Sequence, residues 1–230
     1  MTGEDYKNGQ ILLIDKPLEW TSFQAVNKIR WHIRKRFDIK KIKVGHAGTL
    51  DPLATGLLII CTGKQTKNIH EYQGQIKEYT GTFTIGSTTP SYDLESEINE
   101  TFPTEHITPE KIHNATQQFI GTIQQVPPIF SALKKDGKRL YELARKGESV
   151  EISSREITIT EFEITNIDHL KLDFRVVCSK GTYIRSLAYD FGRALNSGAH
   201  LSALRRTKIG DFSVENGLSI DQFIENLEME

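Results

Sequence analysis

Asp51 is the residue most suited to chemistry. It lies in the segment Gly45-His46-Ala47-Gly48-Thr49-Leu50-Asp51-Pro52-Leu53-Ala54-Thr55-Gly56, followed at once by the apolar run Leu57–Cys61. Pro52 disfavours helical geometry at Asp51, so the carboxylate belongs on a loop, and three glycines tighten that loop. A loop fixed by a buried strand is a rigid mount for a reactive group. A carboxylate held there can act as a nucleophile or as a base. The plainer alternative is that Asp-Pro merely starts a turn. Arg185 falls where a strand gives way to a helix, close to Tyr183. An arginine beside a buried acid keeps that acid ionised, whereas on its own it is equally a solvated helix-end cation. Tyr79 begins a strand whose other residues face inward, and the plain reading is a core aromatic. His46 sits between two small residues, and a lone histidine is more often structural than catalytic.

Other motifs fail. Thr62-Gly63-Lys64-Gln65-Thr66 looks like the end of a phosphate-binding loop, but the upstream glycine is missing and Gln65 replaces the hydroxyl residue. Ser131-Ala132-Leu133-Lys134 fits the serine motif of penicillin-recognising enzymes, yet its partner motifs and an export signal are absent. No H-E-x-x-H, C-x-x-C or G-x-G-x-x-G occurs, so metal, redox and dinucleotide chemistry have no support.

The elements that must position these residues read as follows. Ile11–Ile14 is a short buried strand. Thr21-Ser22-Phe23-Gln24 is a capping box opening a helix with Phe23, Val26, Ile29, Ile33 and Phe37 on its inner face. Tyr79–Ile85 alternates as a strand, and residues 86–106 form a polar, acidic surface excursion. Thr108-Pro109-Glu110 opens a second helix, with Ile112, Ala115, Phe119 and Ile120 inward. Residues 124–147 read as a projecting basic insertion, extended at Gln124-Gln125-Val126-Pro127-Pro128. Residues 156–164 form a strand whose apolar phase slips between Ile159 and Phe162, which calls for a bulge. Leu170, Leu172, Phe174 and Val176 alternate as another strand. Helices follow along Ile184–Leu195 and after Ser219. Alternating strands mixed with helices indicate one α+β domain.

The 230 residues are 37% hydrophobic and 26% charged, a globular composition with a net charge of -1. The charge is segregated. Residues 28–43 hold eight bases against Asp38 alone, residues 134–146 hold six against two acids, and Arg205, Arg206 and Lys208 add three. Local basic surfaces on a near-neutral chain suit a polyanion partner, although charge runs are also ordinary solvated faces. Two cysteines form no disulfide framework, no apolar run is long enough to span a membrane, and no secretory signal opens the chain, so a cytoplasmic protein is expected.

The twelve-residue segment around Asp51 resembles the catalytic loop of the TruB-type tRNA pseudouridine-55 synthases. Asp15-Lys16-Pro17, Lys77-Glu78-Tyr79, Ser131–Lys134, Lys180-Gly181-Thr182-Tyr183-Ile184-Arg185 and Leu204-Arg205-Arg206 occur in that family's order, over about residues 10–212. The resemblance implies a pseudouridine synthase fold, with a mixed, mostly antiparallel central sheet flanked by helices. It implies conversion of uridine to pseudouridine in the T loop of tRNA. Asp51 would be the catalytic carboxylate, attacking ribose C1′ or taking the C2′ proton. Tyr79 would stack on the uracil and serve proton removal at C5, and Arg185 would pair with Asp51. Tyr183, Leu204 and Asp93 would border the substrate. Lys16, His46, Lys134 and Arg139 would meet RNA, the last two from a thumb over residues 124–147. No cofactor or metal is implied, the T stem-loop of tRNA is the partner, and a monomer is the default. The target base must be flipped out of its stack, which gives an aromatic and the basic windows a shared purpose. A catalytically idle RNA-binding protein on the same fold is the rival reading.

This chain departs from the family pattern at Glu19, where glycine is usual, and at Thr89-Pro90-Ser91, where Thr-Asp-Thr is usual. A C-terminal PUA domain is not expected. Binding should therefore lean on the thumb and on residues 28–43.

Overall fold

The computed structural model describes residues 1–131, 133–135, 137–140, 142 and 150–229. In chain order the elements are α1 (Gly3–Asn8), β1 (Ile11–Lys16), α2 (Ser22–Arg36), β2 (Val44–His46), β3 (Ala54–Thr62), α3 (Ile69–Gly74), β4 (Lys77–Ile85), β5 (Ser87–Thr88) and β6 (Glu100–Thr101). There follow α4 (Pro109–Thr116), β7 (Gly121–Gln125), β8 (Lys134–Lys135), β9 (Lys138–Arg139), β10 (Arg155–Asp168), β11 (Lys171–Cys178), α5 (Ile184–Ala194), β12 (Ala199–Ile209), β13 (Phe212–Ser213), β14 (Leu218–Ser219) and α6 (Ile220–Met229). Two compact units emerge, one of residues 1–79 with 204–230 and one of residues 80–203. Among the described residues no helix is long and apolar enough to cross a membrane.

The first unit is built on strands in the order β14-β1-β3-β12. β1 lies antiparallel to β3, with Ile14 opposite Leu58, and β12 runs parallel to β3, with Leu204 opposite Ala54 and Arg206 opposite Gly56. β3 is apolar along its length because both its faces are covered. Leu58 and Ile60 pack with Ile29, Ile33 and Phe223 from α2 and α6 on one side. Leu57, Ile59 and Cys61 pack with Ala47, Tyr72 and Ile209 on the other. The capping box of α2 forms as its sequence requires, with Thr21 and Gln24 bonded reciprocally. The helix, however, buries Ser22, Ala25, Val26, Ile29 and Ile33, and Phe23 is 65% exposed. Ala25 takes the inward position that the apolar spacing assigns to Phe23. Phe37 caps the helix and is half-buried.

In the second unit the order is β4-β11-β10-β7, with β10 antiparallel to both neighbours. The register of β10 against β11 slips between Ile159 and Glu161, so the expected bulge is present. The core is aromatic: Phe83 stacks on Phe174 at 4.2 Å, and Phe162 meets Phe191 edge-on at 5.4 Å. α5 contributes Ile184, Leu187, Ala188 and Phe191 to the interior. Ile120 and Leu170, read as inward, are exposed because they fall at the junctions before β7 and β11.

Residues 86–106 correct the expectation of a surface excursion in their first half. Ser87, Thr88, Thr89, Ser91 and Asp93 are buried. Their polarity is satisfied internally: Thr89 donates to the Asp93 carbonyl at 2.6 Å, the Ser91 and Ser96 hydroxyls meet at 2.7 Å, and Leu201 N–H donates to the Tyr92 carbonyl at 2.9 Å. Buried polar groups are tolerated when bonded in this way. Within the expected thumb, β8 and β9 form a two-stranded ladder that sets Lys134 opposite Arg139. Ala132, Asp136, Tyr141 and residues 143–149 of that stretch lie outside the described residues.

Candidate active site

Asp51 is half-buried on the turn between β2 and β3. The backbone on either side of it is gripped by three side chains of its own unit. Ser22, the first residue of α2, accepts from Leu50 N–H at 2.9 Å and donates to the Leu50 carbonyl at 3.1 Å. Arg206 is 1% exposed. Its guanidinium donates to the carbonyls of Leu57 (2.8 Å), Gly48 (3.1 Å) and Thr49 (3.4 Å). Lys16 is fully buried, and its ammonium donates to the carbonyls of Trp20 (2.6 Å), Pro17 (2.9 Å) and Pro52 (3.5 Å). The Pro52 carbonyl also accepts from Glu19 N–H at 2.8 Å, and Ala54 N–H closes on the Asp51 carbonyl at 3.1 Å. At Gly56, where φ is +102°, a side chain would run into the Arg206 backbone, so glycine lets β12 lie close against the end of the loop.

The loop that carries Asp51 is thus held by two buried cations, Lys16 and Arg206. Burial lowers the Lys16 amine from 10.5 to about 8, with Asp51 opposing that shift, Arg206 adding to it and Asp15 opposing it. Burial also lowers the His46 imidazole; the backbone of Gly48 opposes this and Arg206 reinforces it. His46 is thus biased toward the neutral form, beside the loop in β2 opposite Ile60. Leu204 is half-buried on β12 opposite Ala54, three residues past Asp51. Tyr79 is buried on β4.

Lys16 is therefore not a surface cation, and its ammonium is engaged by backbone carbonyls. The third basic window is likewise committed within the protein. Arg205 makes a two-pronged pair with Asp15, at 2.6 and 3.0 Å. Arg206 serves the loop, and Lys208 lies 3.7 Å from Glu78.

Arg185, Asp93 and Tyr183 belong to the second unit. Arg185, in the first turn of α5, has its Nε 3.6 Å from Asp93, with both side chains buried, and it donates to the Ser91 carbonyl at 3.4 Å. Asp93 also accepts from Glu95 N–H at 3.0 Å. Tyr183 is held by Gln125, which accepts from its N–H at 2.8 Å and donates to its carbonyl at 3.1 Å. The Arg155 guanidinium lies 4.4 Å over the Tyr183 ring. Among the described residues, no three His, Cys, Asp or Glu side chains gather as a metal site requires.

Ser22 and Arg206 hold the loop, a role the sequence alone assigns to neither. A hydroxyl one position inside a helix already capped by Thr21 was the available signal for Ser22. For Arg206 the sequence offers no such signal, because its burial comes from β12 lying against β3.

Comparison with known proteins agrees with this architecture. Residues 34–184 match the model of the TruB family pseudouridylate synthase N-terminal domain. Residues 185–229 match that of the tRNA pseudouridylate synthase B C-terminal domain. A tRNA pseudouridine synthase B of Flavobacterium johnsoniae is 67% identical over 229 residues, covering 99% of this chain and all of the relative. One from Phocaeicola vulgatus is 58% identical, covering 98% of this chain and 96% of the relative. Among solved structures, a chain of a Cbf5-Nop10-Gar1 complex superposes with a TM-score of 0.72 at 28% identity over 98% of this chain. A chain of an H/ACA RNP bound to a substrate RNA containing 2′-deoxyuridine gives 0.69 at 26% identity over 96%. This chain spans about half the length of those two solved chains, 56% and 54% respectively. With the expected mixed sheet and flanking helices in place, the chain belongs to the TruB family of pseudouridylate synthases.

Proposed function

We propose that this chain converts uridine to pseudouridine in tRNA, at position 55 of the T loop, with Asp51 as the acting carboxylate. The observation that carries the reading is the fixation of Asp51 by Ser22, Arg206 and Lys16. A reacting group held in place avoids the entropy cost of finding its geometry. The names of the relatives supply tRNA as the substrate.

The reaction breaks the C1′–N1 bond, turns the uracil and joins C1′ to C5, after which C5 gives up its proton to the solvent and N1 takes one up. One proton is lost and one gained, so substrate and product are isomers, nothing is oxidised or reduced, and we expect no cofactor. Asp51 either bonds to C1′ and is displaced again, or takes the C2′ proton and returns it. Tyr79 is the proposed aromatic partner of the flipped uracil and the route for the C5 proton. Arg185 is the proposed supporting cation, with Tyr183, Leu204 and Asp93 bordering the substrate. Lys134 and Arg139 would meet RNA from a thumb over residues 124–147. Lys16 would act through the loop it holds, and His46 by filling space in its neutral form. We expect one catalytic domain, acting as a monomer in the cytoplasm.

The test of the substrate is to incubate an unmodified tRNA transcript with the protein and map pseudouridine by carbodiimide treatment and primer extension. A single stop one nucleotide 3′ of position 55 is expected. Modification confined to another position, or none, contradicts the reading.

A further inference from the structure

The outer face of α2 has no place in the site just described. Its inner face buries Ala25, Val26, Ile29 and Ile33, while Phe23 is left 65% and Trp31 52% exposed. Two large aromatics on the solvent side of one helix call for a reason, since water contact forfeits the stabilisation that burying each would bring. The surroundings are cationic. Lys28, Arg34, Lys35 and Arg36 are exposed on the helix, and Lys40, Lys41 and Lys43 follow it. The Lys35 ammonium lies 4.9 Å over the Trp31 ring, and His32 meets that ring edge-on at 4.5 Å. Some of the other cations are partly engaged: Arg34 donates to the Ile39 carbonyl and Arg36 to the Leu227 carbonyl, each at 3.2 Å.

The helix is also fixed relative to Asp51, because its first residue, Ser22, holds Leu50. At 1.5 Å per residue, Trp31 stands about 14 Å along the helix axis from that anchor. An RNA that presents a uridine at Asp51 carries phosphates and neighbouring nucleotides over such a distance.

We propose that this face is a second RNA-docking surface, on which Trp31 stacks with an unpaired base of the substrate while Lys28 and Lys35 neutralise adjacent phosphates. Interleaved aromatics and cations are the arrangement that holds single-stranded nucleic acid, each base offering a flat face and each phosphate a charge. An acidic protein partner would be served by the cations but leaves an exposed indole braced by an ammonium without a use. The inference rests on the proposed RNA substrate and adds to it a specific platform remote from the reacting base.

The experiment uses the full chain carrying Trp20→Phe, which leaves Trp31 as its one tryptophan. Titration with unmodified tRNA should quench its fluorescence. Trp31→Ala in the unaltered chain should weaken tRNA binding about tenfold. Lys28→Ala combined with Lys35→Ala should reduce the slope of log affinity against log salt by about 1.5, as loss of two phosphate contacts requires. Unchanged fluorescence, affinity and salt slope would overturn the proposal, as would capture of poly-glutamate but not tRNA by this face. Quenching and weakened binding in a chain that forms no pseudouridine would sink the proposed reaction and leave the surface standing.

Discussion

The hydroxyl of Ser22 closes a two-way bond with the backbone of Leu50, accepting at 2.9 Å and donating at 3.1 Å, and so ties the start of α2 to the residue before Asp51. Ser22→Ala leaves both a buried N–H and a buried carbonyl without that partner. It should cost about 2 kcal/mol of folding stability. If the bond serves position as well as stability, kcat for pseudouridine formation should fall more than KM rises. Chemical denaturation and steady-state kinetics on the same preparation check both.

Arg206 spreads one guanidinium over three carbonyls, two of them in the loop. A lysine ammonium is a compact donor and does not reproduce that planar fork. Arg206→Lys should keep the fold and lower kcat, by up to about 100-fold if the carboxylate shifts by as much as 1 Å. Full activity in a folded Arg206→Lys protein would show that the loop needs no such brace.

These two supports mark the limit of what the residues reveal without coordinates. Local signals were legible: the capping box at Thr21, the proline-led start of α4, the alternation in β11 and the phase slip that became the β10 bulge. Each is a pattern of near neighbours acting on one element. Asp51 too stood out, because a proline, three glycines and an apolar strand surround it. What stayed hidden depends on distant partners. Arg206 reads as one of three surface bases until β12 sets it beside Gly56 and buries it. The hydroxyls of residues 87–91 read as exposed until their bonds to nearby groups are seen. The ion pair of Arg185 with Asp93 joins residues far apart in sequence, and Lys16 is a cation whose partners are carbonyls rather than phosphates.

That ion pair is buried, with side chains 4% and 7% exposed. Removing Asp93 takes away one anionic partner of this buried guanidinium, which keeps its contact with the Ser91 carbonyl. Asp93→Ala should destabilise the protein by about 2 kcal/mol, as loss of one charged partner costs. A change below about 0.5 kcal/mol in urea titration would mean that Arg185 is satisfied without Asp93.

Lys16 predicts a pH dependence. Its amine titrates at about 8 in the folded protein, against 10.5 ordinarily, chiefly because burial disfavours the charged form. Between those values the unfolded chain holds the proton that the folded chain has released. Stability should therefore rise with pH through that window, the burial cost being present in full below it. The stability of the parent relative to Lys16→Met should grow by up to about 1.4 kcal/mol per pH unit there. A flat difference from pH 8 to 10.5 would contradict this.

The role of Asp51 is tested most directly by release of tritium from tRNA labelled at uracil C5, with Asp51→Asn compared against the parent chain at equal tRNA occupancy. The account predicts steady release by the parent and none above background by Asp51→Asn, with tRNA binding retained. Continued release by Asp51→Asn would contradict it.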